Sequence, residues 1–170
     1  GHRVGKVKTI ILESCEYCNS FLSFYPTVAV ILNIEADHLD FFKDLDDVEH
    51  SFRAFADLVP QSGTVLANGE DENTMAALKG KEDVLTFGLH HGDFHAENLT
   101  WDHGFPSFDV VWNDEPKAHI TLQVPGEHNV KNAIAAAAAA LVLGIPGWAI
   151  QQGLQDFRGA GRRFEFKGKA

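Results

Sequence analysis

Three short stretches concentrate side chains able to hold ions or read polar ligands. In ESCEYCNSF, residues 13–21, Glu13 and Glu16 close and follow a short apolar run, Thr9–Glu13. If that run is a strand of an open parallel sheet, the carboxylates stand beyond its C-terminal end, where such sheets bind ligands. They would suit Mg2+ there. In NIEADHLD, residues 33–40, Asn33, Glu35, Asp37, His38 and Asp40 gather five polar or ionisable groups directly after a second apolar run. Two such loops bring Glu16 and His38 to one sheet edge. A carboxylate and a neutral imidazole can share a divalent cation held jointly with phosphates. In VPGEHNVKN, residues 124–132, Gly126 permits a tight turn ahead of a helix. The first N–H groups of that helix would point, unpaired, at whatever precedes it. Asn129 and Asn132 stand three apart, so both amides fall on one face of its first turn and can match a purine edge. Asn129 is also well suited to be the helix N-cap, which requires no ligand.

Other clusters carry less chemistry. Cys15 and Cys18 are the two cysteines of the chain, so no disulfide framework exists. Their C-x-x-C spacing after a predicted strand fits a redox motif, whereas a structural zinc site needs four ligands and no second pair is present. His90, His91, His95 and His103 lie in HHGDFHAENLTWDH without the i, i+4 pair of a helical zinc site, and read as loop and hairpin histidines. No G-x-x-x-x-G-K-[ST] occurs, so the sequence holds no phosphate-cradling loop of that kind.

The elements that must position these residues follow from hydrophobic periodicity. Thr9–Glu13 and Thr27–Asn33 are β-branched, continuously apolar runs, as expected of strands buried on both faces. Asp46–Leu58 places Val48, Phe52, Phe55 and Leu58 at helical spacing behind an acidic first turn. Thr64–Ala67 predicts a strand, Glu72–Lys79 a helix and Val84–Phe87 another strand. This alternation predicts an α/β fold with a mainly parallel sheet flanked by helices. From Glu97 to Val124 the pattern becomes aromatic and alternating, broken at Gly104–Pro106 and Asn113–Pro116, which predicts a small appended antiparallel sheet of three strands. An alanine-rich helix then runs to Gly144, and Pro146 opens a second one, to about Leu154. Residues 157–169 read as a loop or linker.

Composition narrows the function classes. The 170 residues are 45% hydrophobic and 22% charged, a soluble globular balance. No apolar run approaches a membrane span and no secretory signal opens the chain, so a cytoplasmic location is expected. The net charge of −10 argues against a nucleic-acid partner. The charge is uneven. Eight acids lie between Glu35 and Asp57, while Arg158, Arg162, Arg163, Lys167 and Lys169 make the end basic. That end could meet an anionic ligand or simply be solvated.

Taken in order, ESCEYCNSFL, TVAVILNIEADHLDFF, VPGEHNVKNAIAAAAAA and FRGAGRRFEF resemble the Mur ligases, over nearly the whole chain. The resemblance implies an ATP-dependent, amide-forming ligase of peptidoglycan synthesis with three domains. It places residues 1–157 in part of the central ATP-binding domain, a P-loop-type ATPase core lacking its P-loop segment. Residues 158–170 would be a hinge toward an absent C-terminal domain. NIEADHLD and E-x-C-E-Y-x-x-S-F-L imply UDP-N-acetylmuramate and L-alanine as substrates. A tripeptide-recycling ligase and a non-catalytic nucleotide-binding module are the competing readings. Residue by residue, the resemblance implies Glu16 as a Mg2+ ligand and His38 as a second-metal ligand. It implies His128, Asn129 and Asn132 around the adenine or ribose of ATP, and Arg163, in preference to Arg162, at the phosphates. A chain without the phosphate-binding loop is expected to be inactive alone. Its unpaired sheet surface is expected to drive dimers.

Overall fold

The computed structural model describes residues 9–159. Six strands form one sheet in the order β1-β2-β3-β4-β5-β6. They are β1 (Val28–Ile31), β2 (Thr64–Asn68), β3 (Val84–Phe87), β4 (Phe94–Asp102), β5 (Phe105–Trp112) and β6 (Glu115–Thr121). The first three pair in parallel, and β3 meets β4 in parallel through Phe87 and Phe94. The last three are antiparallel. The three-stranded segment expected as an appendage therefore continues the main sheet. The join is made by side chains as well as strands. Asp93 accepts hydrogen bonds from the Thr86 amide and hydroxyl at 2.7 and 2.9 Å, extending the ladder where regular pairing thins out.

Turn chemistry sets the two hairpins. His103 and Gly104 both have positive φ, as do Asn113 and Asp114. Two consecutive left-handed residues match the right-handed strand twist in a two-residue hairpin turn, and small polar residues and glycine tolerate that conformation.

Helices α1 (Leu45–Asp57) and α2 (Glu72–Ala77) cover one face of the parallel half; α3 (Glu127–Val142) covers the other, and α4 (Gly147–Gln155) lies beside α3 on the antiparallel half. Alternation along β2 shows the division. Val65 and Ala67 pack with Val48 and Ala56 of α1 and Ala77 of α2, while Leu66 packs with Val130, Ile134 and Ala137 of α3. The alanine stripe of α3 lets this helix lie close across the sheet, reaching β1 through β5, and α4 rests on β6. Asp44 caps α1 by accepting from the Asp47 amide at 3.1 Å, and Asp71 caps α2 through the Thr74 amide at 2.9 Å.

One predicted strand is absent. Thr9–Glu13 has no strand conformation, and Ile10 and Ile11 are 82% and 90% exposed. A short apolar run becomes a strand only where a neighbour completes its hydrogen bonds, and among the described residues none lies beside it. The chain passes instead into a 3-10 helix, Tyr17–Ser23. The remaining predicted elements form within a few residues of their expected ends; β1 is shorter, stopping at Ile31.

Candidate functional site

Glu16 is held by a turn pinned to α1, in place of the strand end that the sequence suggested. Phe21, in the 3-10 helix, is buried; its ring stacks on Phe55 at 4.7 Å and meets Phe52 edge-on at 5.2 Å. The hydroxyl of buried Ser51 donates to the Asn19 side chain, a second tie to the same helix. Cys18 and Asn19 both have left-handed backbone conformations, which folds this turn sharply. The two cysteines are free and exposed.

His38 follows β1 on a loop whose backbone is equally constrained. Its φ is +55°; its amide donates to the Asp37 carboxylate at 2.7 Å, and its carbonyl accepts from the Phe41 and Phe42 amides. The Tyr17 ring lies 4.8 Å from the imidazole, and its hydroxyl donates to Asp40 at 2.9 Å. That hydrogen bond and the Asp40 charge push the Tyr17 phenol above its ordinary pKa.

These constraints converge on one contact. His38 Nε2 stands 3.3 Å from Glu16 Oε1, with the two side chains 33% and 29% exposed. Glu16, Asn33, Glu35, Asp37 and Phe52 line an adjoining cavity of about 190 Å³, where Asn33 donates to Glu35 at 3.0 Å. Glu16 and His38, remote in sequence, thus meet as expected. Glu13 is exposed and outside that lining. Among the described residues, no group of three or more His, Cys, Asp or Glu side chains is arranged to hold a metal. Two protein donors beside open polar space fit Mg2+, which keeps several waters and takes one or two carboxylates plus phosphates. They do not fit a closed four-ligand zinc centre.

The third motif starts α3 at the same sheet edge. Gly126, at φ +98°, is the N-cap, and the cap position has no side-chain hydrogen bond. Asn129 sits one turn in and donates through Nδ2 to the Pro125 carbonyl at 2.7 Å. The N-cap role weighed for Asn129 therefore belongs to Gly126, and the Asn129 Oδ1 and second Nδ2 hydrogen remain free of this local bond. Asn132 and His128 are exposed on the opening of the helix. A Cβ on Gly126 would come within 2.7 Å of the His128 ring, which is exposed and can turn aside, so it is the positive φ of +98° that calls for glycine. Arg162 and Arg163 lie outside the described residues.

Two residues passed over in the sequence tie these parts together. Glu70 follows β2, and its side chain is only 12% exposed. Its Oε1 accepts the His90 and His91 amides at 2.6 and 3.2 Å, while Lys131 of α3 approaches Oε2 at 3.8 Å. Burial raises the Glu70 pKa, but the amides of His90, Leu89 and His91 and the Lys131 charge outweigh it, holding the carboxyl below its ordinary value. Asp71, next along, accepts from the Ile34 amide at 3.2 Å while capping α2, so it binds the His38 loop to the second crossover. The signal was available: ANGED places acids just beyond a strand, as NIEADHLD does.

Comparison with known proteins matches residues 3–140 to the Mur ligase middle domain. A UDP-N-acetylmuramate–L-alanine ligase from Clostridium novyi is 46% identical over 168 residues, which is 98% of this chain and 37% of that relative. Among solved structures, MurF from Acinetobacter baumannii superposes with a TM-score of 0.77 at 29% identity, covering 89% of this chain and 33% of its own. The UDP-N-acetylmuramate-alanine ligase MurC of Thermotoga maritima gives 0.75 at 27% identity, covering 89% and 34%. The chain thus spans little more than a third of the length of these relatives. Their fold has the same architecture as the six-stranded sheet described above, and the chain belongs to the Mur ligase family, matching its middle domain.

Proposed function

We propose that this chain is the ATP-handling part of a cytoplasmic ligase that joins L-alanine to UDP-N-acetylmuramate in peptidoglycan synthesis. The approach of Glu16 to His38 at 3.3 Å, on the sheet edge where α3 begins, carries the ATP-handling part of this reading. The choice of substrates rests on the 46% identity to a relative bearing that name.

The chemistry suits such a site. A carboxylate becomes reactive toward an amine once it carries a phosphoryl group as an acyl phosphate; the amine then adds, and phosphate leaves from a tetrahedral intermediate. No step requires a protein nucleophile, so the protein contributes positioning and charge neutralisation. Glu16 would hold Mg2+, with His38 at a second-metal position. When bound, Mg2+ supplies neutralisation of the charge that develops on phosphoryl oxygens. Asn132, His128 and the Oδ1 of Asn129 would orient adenine or ribose at the start of α3. Arg163 would meet the phosphates from residues 158–170, a hinge after a middle domain spanning 1–157.

The sequence contains no G-x-x-x-x-G-K-[ST], so the 170-residue chain by itself is expected to bind nucleotide weakly and not to ligate. The test is phosphate release from ATP in the presence of UDP-N-acetylmuramate and L-alanine, for the full ligase containing this domain and for the chain alone. Release by the full ligase only when both substrates are present, with none from the chain, supports the reading. Turnover by the isolated chain overturns its inactivity. Activity with a tripeptide but not alanine identifies a recycling ligase, and silence with both identifies a non-catalytic module.

A further inference from the structure

The face of β4–β6 turned away from α3 carries a hydrogen-bonded set that the ligase chemistry does not use. Asp109 of β5 and His119 of β6 are cross-strand partners, and Ser107 of β5 faces Thr121 of β6 in the same register. The Asp109 Oδ1 lies 2.7 Å from the His119 Nδ1, and the His119 Nε2 lies 3.0 Å from the Ser107 Oγ. Asn98 of β4 donates to the other Asp109 oxygen at 2.8 Å, and Thr121 Oγ1 is 2.9 Å from Ser107 Oγ. Hydrogen bonds from Asn98 and His119 hold the Asp109 carboxyl below its ordinary pKa, so it is an ionised acceptor at neutral pH. An ionised acceptor at Nδ1 selects the imidazole tautomer with its proton on that nitrogen. The Nε2 lone pair is then directed at the serine hydroxyl. Nucleophile to base and base to orienting carboxylate are the two hydrogen bonds that define an activated serine, whatever fold supports them.

We propose that Ser107 is a nucleophile, with His119 as its general base and Asp109 as the group that orients the imidazole, and that it takes acyl groups from small activated esters. In the acylation step the Ser107 Oγ–carbon bond forms and the ester carbon–oxygen bond breaks. The hydroxyl proton passes to His119 Nε2, and the leaving alkoxide or phenolate departs with the bonding electron pair and takes up that proton or one from water. In deacylation a bond from the water oxygen to the acyl carbon forms and the Ser107 Oγ–carbon bond breaks; the water proton passes through His119 Nε2 to the serine oxygen, and the carboxylic acid departs.

The surroundings limit the substrate class. The set lies on an open sheet face, and β5 is central, with its backbone groups engaged in ladders on both sides. Thr121 is the hydroxyl next to Oγ that can donate to a developing oxyanion. Such a site lacks a paired backbone oxyanion hole, so it serves esters whose leaving groups are already good. Phe105, two residues before Ser107 on the same face and 41% exposed, offers an apolar flank to the acyl chain.

The test uses the 170-residue protein with p-nitrophenyl acetate, following release of p-nitrophenolate and mapping the acetyl group by peptide mass. The expected result is acetyl on Ser107. Its rate of appearance should fall at least about 100-fold in His119→Ala, the scale of a lost general base, and also fall in Asp109→Asn. In Ser107→Ala the modified peptide should disappear. Should His119→Ala fail to fold, the nearly isosteric Asp109→Asn gives the same reading. Acetyl found on lysines or other serines with Ser107 unmodified overturns the proposal. So does Ser107 acetylation at an unchanged rate in the folded His119 or Asp109 variant.

Discussion

Glu70 shows how one carboxylate can stabilise a site without touching a ligand. It accepts two amides from the β3–β4 loop and faces Lys131 in the turn that carries Asn129 and Asn132. Glu70→Gln keeps the shape but replaces a charged acceptor, so a loss of about 1–3 kcal/mol is expected in urea denaturation. The pH dependence has a definite sign. The folded pKa of Glu70 is depressed, so its stabilisation is complete above the ordinary glutamate range and lost as pH falls through the lower folded value. Asp57 behaves alike: burial acts against it, but Lys81 and Arg53 hold its carboxyl low. The melting temperature should therefore decline on acidification below the ordinary carboxylate range, and Glu70→Gln should flatten part of that decline. A different outcome is expected at Glu16, whose side chain faces His38 and open polar space. Glu16→Ala should weaken Mg2+-dependent nucleotide binding in calorimetry while leaving Mg2+-free binding and the melting temperature nearly unchanged. Equal loss with and without Mg2+ would remove Glu16 from the metal.

Among the elements, the short α2 depends most on its cap. Asp71 accepts from the Thr74 amide and hydroxyl and from the Ile34 amide, and Thr74 is buried. Asp71→Ala removes the acceptor for three donors, so a loss of about 2 kcal/mol is expected, more than an exposed N-cap gives. The same change should loosen the His38 loop, measurable as faster amide exchange at Ile34. At the other end, α4 approaches β6 closely. A Cβ on Gly147 would stand 1.9 Å from the Lys117 carbonyl oxygen. Backbone cannot yield as a flexible side chain can, so Gly147→Ala should force α4 off the sheet and cost about 1–3 kcal/mol, seen as a lower melting temperature.

For the molecule as a whole, the sheet has one edge that stands out. β1 pairs only with β2 among the described residues, yet Val30 and Leu32 at this edge are 38% and 43% exposed. Parallel strands are ordinarily covered on both faces, and an open apolar edge is a template for another strand. The purified chain is therefore expected to form dimers or larger species at micromolar concentration. Sedimentation showing monomer alone would contradict this, and Val30→Lys, which charges the edge, should shift the population toward monomer.

The alternation of strands and helices and the places of the two hairpin breaks were legible in the sequence because each is set by local periodicity and turn chemistry, whereas the N-cap weighed for Asn129 belongs to Gly126. The pairing of Glu16 with His38 was legible too, but not its route: only His38 follows a strand, and Glu16 reaches it from the turn that opens the 3-10 helix. Tertiary structure alone decided that Ile10–Leu12 forms no strand, since a strand exists only through a neighbour that no local pattern encodes. It also joined β4–β6 to the parallel strands, through the Phe87–Phe94 pair, the backbone bonds of Gly88 to Phe94 and Ala96 to Leu89, and the Thr86–Asp93 contacts that no periodicity announces. Packing of Phe21 on Phe55 pins to α1 the 3-10 helix that Glu16 precedes, a long-range contact that no local pattern announces. The Ser107–His119–Asp109 arrangement likewise exists only through the pairing register of β5 and β6, which brings into contact residues 12 and 10 positions apart.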